Sequence, residues 1–219
     1  FTWTNDNTQT GLGASGSGSI PSFTTTNGTT QPVISFITVT PTLNGCIGPD
    51  MTFTLTVNPV PVVDALPSID TCSGTLLSIS FTGTATQYNW TNDNTTIGLG
   101  ASGTGTIDFT TINTGTSSEL ATVAVTPGYL LNNLLCSGSI ETFTITVQPV
   151  PHVLPLQDQT ICNGDQTQLV SFGSDVLGTS YTWTNDNPQI GLSSTGSQDI
   201  PSFTGTNSGN TSILGTVTV

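Results

Sequence analysis

A seven-residue stretch with a tryptophan at its third position occurs three times and constrains the fold more than any other feature. The stretches begin at Phe1, Tyr88 and Tyr181, and each ends in Trp-Thr-Asn-Asp-Asn. A Gly-Leu pair follows each tryptophan eight and nine residues later, and an isoleucine follows at seventeen. One tryptophan per unit, on a short alternating segment, predicts the core anchor of a repeated β domain. These anchors are Trp3, Trp90 and Trp183.

The repeat period is about 90 residues. Trp3 and Trp90 are 87 positions apart, and Cys46 and Cys136 are 90 apart. This length falls near that of immunoglobulin-like (Ig-like) sandwiches and exceeds that of leucine-rich, ankyrin or tetratricopeptide repeats. We therefore expect a slice of a longer protein with three parts. They are the C-terminal part of a first domain (1–59), a complete domain (60–149) and the N-terminal part of a third (150–219).

The segments between these landmarks predict short strands. Residues 52–57 alternate apolar and threonine side chains, as in a half-buried antiparallel strand. In the central unit, about seven such segments with the tryptophan on the third predict tandem all-β, Ig-like sandwiches. No segment has helical periodicity. Residues 8–19 are predicted to form a loop or weak edge strand, and residues 42–50 and 128–139 to form loops.

Two proline-containing junctions separate the predicted domains. Asn58 is followed by Pro-Val-Pro, and Gln148 is followed by the same tripeptide. Prolines at alternate positions hold the chain extended and cannot continue a hydrogen-bonded ladder. Short, stiff junctions favour a head-to-tail rod.

The charge balance excludes several classes of partner. The chain has no lysine and no arginine, against thirteen acidic residues and one histidine. Nothing neutralises phosphate, so nucleic acid and direct binding to anionic membranes are excluded. Internal salt bridges are impossible except with His152. Only 6% of residues are charged, and a surface of Thr, Ser, Asn and Gln suggests an extracellular protein.

The order of motifs resembles a known family. It runs from Pro-x-Pro through Thr-Ile-Cys-Asn-Gly (160–164) and Tyr-Thr-Trp-Thr-Asn-Asp-Asn (181–187) to Ile-Gly-Leu and Ile-Pro-Ser-Phe-Thr. This series resembles the PKD-like repeat of Bacteroidetes surface proteins, which is similar to repeats of giant adhesins of the SprB type. The resemblance implies type IX secretion, a bacterial cell-surface location, and a role in gliding or attachment. It supplies no catalytic residues.

The acid of the Asn-Asp-Asn triplet is the only one that recurs in all three units, as Asp6, Asp93 and Asp186. One interpretation is a calcium site, because carboxylate and amide oxygens suit that cation. The other is a turn in which the Asx side chains bond to their own backbone. The sequence leaves both open, and no other cofactor is predicted.

The four cysteines suit an oxidising compartment, and none has zinc-site spacing. They are Cys46, Cys72, Cys136 and Cys162. In an Ig-like topology Cys72 and Cys136 lie at opposite ends of one sandwich, so pairing between neighbouring domains is favoured. A Cys72–Cys136 bond with a rearranged strand order, and free thiols, stay open.

These features predict a structural or adhesive repeat of a long extracellular filament, and not an enzyme. Its partners are expected to be neighbouring repeats of the same chain, surface polysaccharide, or a laterally associated second filament. The alternative is that these units are spacers or glycan-binding modules of a large secreted enzyme. Glycan binding needs exposed aromatic side chains on one face, and flanking sequence would separate a spacer from an adhesin.

Overall fold

The computed structural model describes residues 1–219, and it confirms the all-β prediction. Strands contain 41% of the residues and helices 4%, in several open sheets. The helices are three-residue 3-10 turns. None is long and apolar enough to cross a membrane. We call residues 1–59 the first repeat, 60–149 the central repeat and 150–219 the third repeat.

The first repeat contains a four-stranded antiparallel sheet with its strands in the order β2 (Ser15–Ser17), β1 (Thr2–Asn5), β3 (Val33–Thr40) and β6 (Met51–Val57). A separate pair joins β4 (Thr42–Leu43) to β5 (Cys46–Ile47). Its tryptophan, Trp3, packs with Leu12 and Ile37 at the core, and Leu55 of the last strand packs against this cluster. The elements are β1 Thr2–Asn5, a 3-10 turn at Thr8–Thr10, β2 Ser15–Ser17, β3 Val33–Thr40, β4 Thr42–Leu43, β5 Cys46–Ile47 and β6 Met51–Val57.

The central repeat contains two sheets, as a sandwich requires. The larger has the order β10 (Ser102–Thr104), β9 (Gln87–Asn92), β12 (Glu119–Leu131), β14 (Glu141–Gln148) and β7 (Ile69–Cys72), with β13 (Leu134–Ser137) paired to β12. The smaller pairs β11 (Ile107–Thr110) with β8 (Leu76–Ile79). Alternate side chains of β12 and β14, including Val123 and Ile145, are fully buried. The elements are β7 Ile69–Cys72, β8 Leu76–Ile79, β9 Gln87–Asn92, a 3-10 turn at Thr95–Ile97, β10 Ser102–Thr104, β11 Ile107–Thr110, β12 Glu119–Leu131, β13 Leu134–Ser137 and β14 Glu141–Gln148.

The third repeat contains a three-stranded sheet in the order β16 (Thr195–Ser197), β15 (Thr182–Asn185) and β17 (Val217–Thr218). Trp183, Leu192 and Ile200 form its buried cluster. Its remaining pairings are isolated bridges, such as Val170 with Ile200. The elements are β15 Thr182–Asn185, a 3-10 turn at Pro188–Ile190, β16 Thr195–Ser197 and β17 Val217–Thr218.

The chain forms two compact units whose bounds differ from the repeat boundaries. One comprises Phe1–Asp70, Thr75–Thr111 and Leu120–Thr146, and the other Thr71–Gly74, Ile112–Glu119 and Val147–Val219. The first unit therefore contains most of the first and central repeats. The division into three domains at 59/60 and 149/150 stays a prediction.

Two segments predicted as loops are hairpins instead. Within residues 128–139, Tyr129 pairs with Cys136, and within residues 42–50, Thr42 pairs with Ile47. Both turns have two residues with positive φ, Asn132-Asn133 and Asn44-Gly45. Such turns match the twist of a hairpin, and Asn-Gly is their strongest sequence signal. The prediction of a loop was wrong for both segments: residues 42–50 contain the Asn-Gly signal, and in residues 128–139 two asparagines adopt the same left-handed conformation.

Each core tryptophan lies against a glycine of the neighbouring edge strand. Trp90 pairs with Gly103 across β9 and β10, and a Cβ added to Gly103 would lie 2.2 Å from the indole Cζ2. The same contact joins Trp3 to Gly16 and Trp183 to Gly196. The three tryptophans are 6–8% exposed, so the core-anchor prediction agrees with their burial. The sequence predicts either a loop or a weak edge strand in residues 8–19, and this segment contains the edge strand β2.

We expect Gly103→Ala to destabilise the central repeat by about 1–3 kcal/mol, because the added methyl overpacks the site beneath Trp90. The matched control is Gly100→Ala, where an added Cβ meets nothing within 4 Å. Urea unfolding followed by tryptophan fluorescence measures both variants. Equal midpoints for the two variants would show that the glycine is not required by the indole.

Candidate functional site

The Asn-Asp-Asn turn is the polar feature that recurs most faithfully, and its first asparagine lies inside the protein. Asn92 is 7% exposed. Its Nδ2 donates to the carbonyls of Asn94 at 2.9 Å and Leu99 at 3.0 Å, and its Oδ1 accepts from the Asn94 N–H. Asn5 and Asn185 make the equivalent bonds. One buried amide thus closes the loop after each tryptophan strand.

The aspartate of the triplet bonds to the facing strand. Asp93 Oδ1 accepts the backbone N–H of Thr122 at 2.7 Å, and the Asp93 N–H donates to the Thr122 carbonyl at 3.2 Å. Asp6 and Asp186 bind Phe36 and Thr216 in the same way. The carboxylate therefore extends the pairing of two strands beyond its last regular residue.

The third asparagine caps the short helix that follows. Asn94 Oδ1 accepts from the Thr96 N–H, and its Nδ2 donates to the Leu120 carbonyl. Asn7 and Asn187 make the equivalent cap and the equivalent bond. Each short helix ends at a glycine with φ of 94–99°. This left-handed conformation explains the recurring Gly of the Gly-Leu pair.

These hydrogen bonds account for the triplet as a turn, which was one of its two interpretations. One oxygen of each carboxylate already accepts a backbone N–H. No group of three or more His, Cys, Asp or Glu side chains converges anywhere in residues 1–219. A tight calcium site uses six to eight oxygens, and the turn brings one carboxylate to each repeat. Calcium binding at Asp6, Asp93 and Asp186 stays a prediction.

The cysteines form no disulfide in the structure. Cys46, Cys72 and Cys162 are exposed, and Cys136 is half-buried. Cys136 Sγ lies 4.0 Å from Nδ2 of Asn58, at the junction that precedes the central repeat. Their pairing in an oxidised protein stays a prediction.

The single ion-pair contact of the chain is made by His152, because the chain has no lysine or arginine. Asp175 Oδ1 accepts the His152 backbone N–H at 2.9 Å, and Oδ2 lies 3.1 Å from the imidazole Nδ1. The backbone N–H is the main reason that the pKa of Asp175 lies below its ordinary value. Both side chains are exposed, so the pair contributes little to stability.

Two of the three tyrosines pack against phenylalanine rings. The ring centroids of Tyr88 and Phe81 are 5.5 Å apart, and those of Tyr181 and Phe172 are 5.4 Å apart. Burial, and then the charge of Asp64, raise the pKa of Tyr88. These tyrosines stabilise their own repeat, so they do not form the exposed aromatic face that a glycan-binding module needs.

A cleft of about 810 Å³ lies in the third repeat. Its walls include Val170, Phe172, Leu192, Ile200 and Phe203, which belong to or pack against the Trp183 cluster. In the first repeat, the last strand places Leu55 against the equivalent cluster. The cleft therefore lies where the last strand of a repeat packs.

Comparison of the sequence with models of known protein families gave no match, and comparison with curated proteins gave none. The resemblance to PKD-like repeats therefore rests on the motifs alone.

The sequence analysis missed two recurring residues. One is the buried first asparagine of the triplet, because the sequence shows its recurrence but not its burial. The other is the glycine beneath the tryptophan. A glycine thirteen residues after each tryptophan was the available signal, at Gly16, Gly103 and Gly196.

We expect Asn92→Asp to destabilise the central repeat by about 2–4 kcal/mol at neutral pH, because a carboxylate cannot donate to the buried carbonyls. Burial raises the pKa of such a carboxyl, so the deficit should shrink as the pH falls towards 4. The matched control is Asp93→Asn, which keeps the acceptor for Thr122 and should change stability by less than about 1 kcal/mol. Urea unfolding at pH 7 and pH 4 measures both. A larger loss of stability in Asp93→Asn than in Asn92→Asp would show that the aspartate, and not the buried asparagine, contributes most to the turn.

We expect the Asp175 carboxyl to titrate below 3.8, its ordinary value. Because the folded-state pKa is lowered, the contact stabilises the fold above the unfolded pKa and is lost as the pH falls through the folded one. Carbon-detected NMR measures the midpoint. His152→Ala keeps the backbone N–H and should keep most of the shift, whereas His152→Pro removes that donor. An ordinary midpoint in the alanine variant would assign the shift to the imidazole.

Proposed function

We propose that this chain is a structural and adhesive repeat segment of a long extracellular filament that mediates attachment or gliding at a bacterial cell surface. The observation that supports it is the threefold recurrence of one hydrogen-bonded turn. Asn5, Asn92 and Asn185 are each 5–7% exposed and bond to equivalent backbone groups. A site for one ligand needs one copy, whereas a load-bearing array needs the same module many times.

A second asparagine strengthens the first and central repeats at another position. Asn113 Nδ2 donates to the carbonyls of Ser117 and Val147 at 2.8 and 2.7 Å. Asn27 donates to Gln31 and Val57 in the same way. These bonds tie a loop to the end of the last strand of the repeat. Neutral amide bonds depend little on salt, which suits a filament exposed to variable surroundings.

Adhesion is supported by an apolar side chain that recurs on the surface. It recurs at the residue whose backbone carbonyl accepts a hydrogen bond from Nδ2 of the third asparagine of the triplet. The exposed fraction of this residue is 48% for Ile34, 57% for Leu120 and 81% for Leu214. One such contact is weak. Repeated along a filament, weak contacts gain strength through multivalency. Neighbouring filaments are the partner class that these aliphatic contacts suit, and binding of surface polysaccharide stays a prediction.

Pulling the chain from a surface tests both parts of the proposal. The full chain is attached by one terminus to a force-microscope tip that touches glass or a polysaccharide gel. We expect frequent adhesion, and an extension step of about 300 Å when a 90-residue repeat unfolds. The variant Ile34→Ser, Leu120→Ser, Leu214→Ser should keep the unfolding step and lose adhesion several-fold.

An adhesion frequency equal to that of a bare tip would contradict the adhesive role. The unfolding step, measured in that case with both termini covalently tethered, would then support a spacer in a larger protein, which is the alternative function. Loss of both adhesion and step would contradict the structural role as well.

A further inference from the structure

We propose that consecutive repeats of this type are joined by a disulfide between the first-turn cysteine of one repeat and the hairpin cysteine of the next. In the central repeat, the first-turn cysteine is Cys72, at the end of β7, and the hairpin cysteine is Cys136, in β13. The inference concerns how repeats are linked, and it does not depend on the adhesive role. Three observations support it.

The first-turn cysteine lies beside the junction that leaves its repeat. Cys72 ends β7, and the N–H of the next residue, Ser73, donates to the carbonyl of Gln148 at 2.9 Å. Gln148 is the last residue of β14 and directly precedes Pro149. Cys72 is exposed there, so a second thiol and an oxidant have access to it.

The hairpin cysteine lies beside the junction that enters its repeat. Cys136 Sγ is 4.0 Å from the side-chain amide of Asn58. The hairpin approaches this junction so closely that a Cβ on Gly138 would lie 1.8 Å from the carbonyl oxygen of Pro61. Glycine at position 138 therefore permits the contact between hairpin and junction.

The third observation is that these two junction residues are equivalent. Gln148 follows Asn58 by 90 positions, which is one repeat period, and each of the two residues precedes Pro-Val-Pro. The first-turn cysteine of a repeat lies beside this position, and the hairpin cysteine of the following repeat lies beside the same position. Two thiols from consecutive repeats thus meet at one junction.

Pairing within a repeat lacks this geometry. Cys136 precedes the start of β14, whereas Cys72 lies beside its end. The eight residues of that strand span over about 20 Å. A disulfide needs Cα atoms within about 7 Å. When the repeats are aligned, the hairpin position of the third repeat, where the partner of Cys72 would lie, falls after Val219.

The chemistry is a thiol–disulfide exchange. The two thiols lose two protons and two electrons and form one S–S bond. The electrons pass to a small-molecule disulfide such as glutathione disulfide, which is cleaved to two thiols. A covalent link beside each Pro-Val-Pro junction would restrict bending there and would transmit force between repeats without passing through their hydrogen bonds.

The test extends the full 219-residue chain with a copy of its residues 126–148, which continues the third repeat after Val219 in register. One version keeps only Cys72 and the appended cysteine, through Cys46→Ser, Cys136→Ser and Cys162→Ser. The matched control keeps only Cys162 and the appended cysteine, which belong to the same repeat. Both are oxidised with glutathione disulfide at low protein concentration and analysed by mass spectrometry after thiol alkylation.

We expect the intramolecular disulfide in the first version and not in the control. A disulfide in the control, or in neither version, would overturn the proposal.

A second measurement keeps the chain at its own length and does not depend on folding of the appended segment. Asn58→Cys, with Cys46, Cys72 and Cys162 replaced by serine, should form a disulfide with Cys136. Failure of this bond would overturn the placement of Cys136 at the junction. A Cys72–Cys136 bond in the unaltered chain would overturn the proposal directly.

Discussion

The fold depends on the contact between one indole ring and one glycine in each repeat. Burying a tryptophan removes about 150–250 Å² from water, which stabilises the core by roughly 4–6 kcal/mol at about 25 cal/mol per Å². The indole Nε1 of Trp3, Trp90 and Trp183 is buried and has no hydrogen-bond partner. An unsatisfied buried donor costs about 1–3 kcal/mol. The apolar gain exceeds that cost, so the tryptophan stabilises its repeat even with its one polar group unpaired.

The second constraint is the lack of positive side chains. With no lysine or arginine, carboxylates find backbone N–H groups as partners, as Asp93 does with Thr122. Asparagine amides take the place that salt bridges hold in other proteins, because each amide both donates and accepts. Asn92 bonds to Asn94 and Leu99 in this way. The repeat therefore keeps its polar interior neutral and its loops ordered.

Modules built in this way suit repetition in a filament. Each repeat has its own tryptophan cluster and its own turn, so stability is gained separately in every copy. The prolines of the junctions hold the chain extended, and Cys136 and Cys72 each lie beside a junction residue, Asn58 and Gln148. A threonine-rich surface with an exposed aliphatic side chain at the same position of each repeat, such as Leu120, allows many weak contacts along one chain.

The sequence by itself determined the all-β class, the three tryptophan positions and a turn at Asn-Asp-Asn as one of two interpretations. These follow from local alternation and from recurrence, which need no knowledge of distant contacts. Only the tertiary structure decided that Asn92 is buried and that Gly103 lies beneath Trp90. It also decided that Cys136 contacts the junction at Asn58. Each of these contacts depends on which strand lies beside which, and that register joins residues far apart in the chain. A sequence pattern records the spacing of such residues, but the packing of strands decides which of them meet.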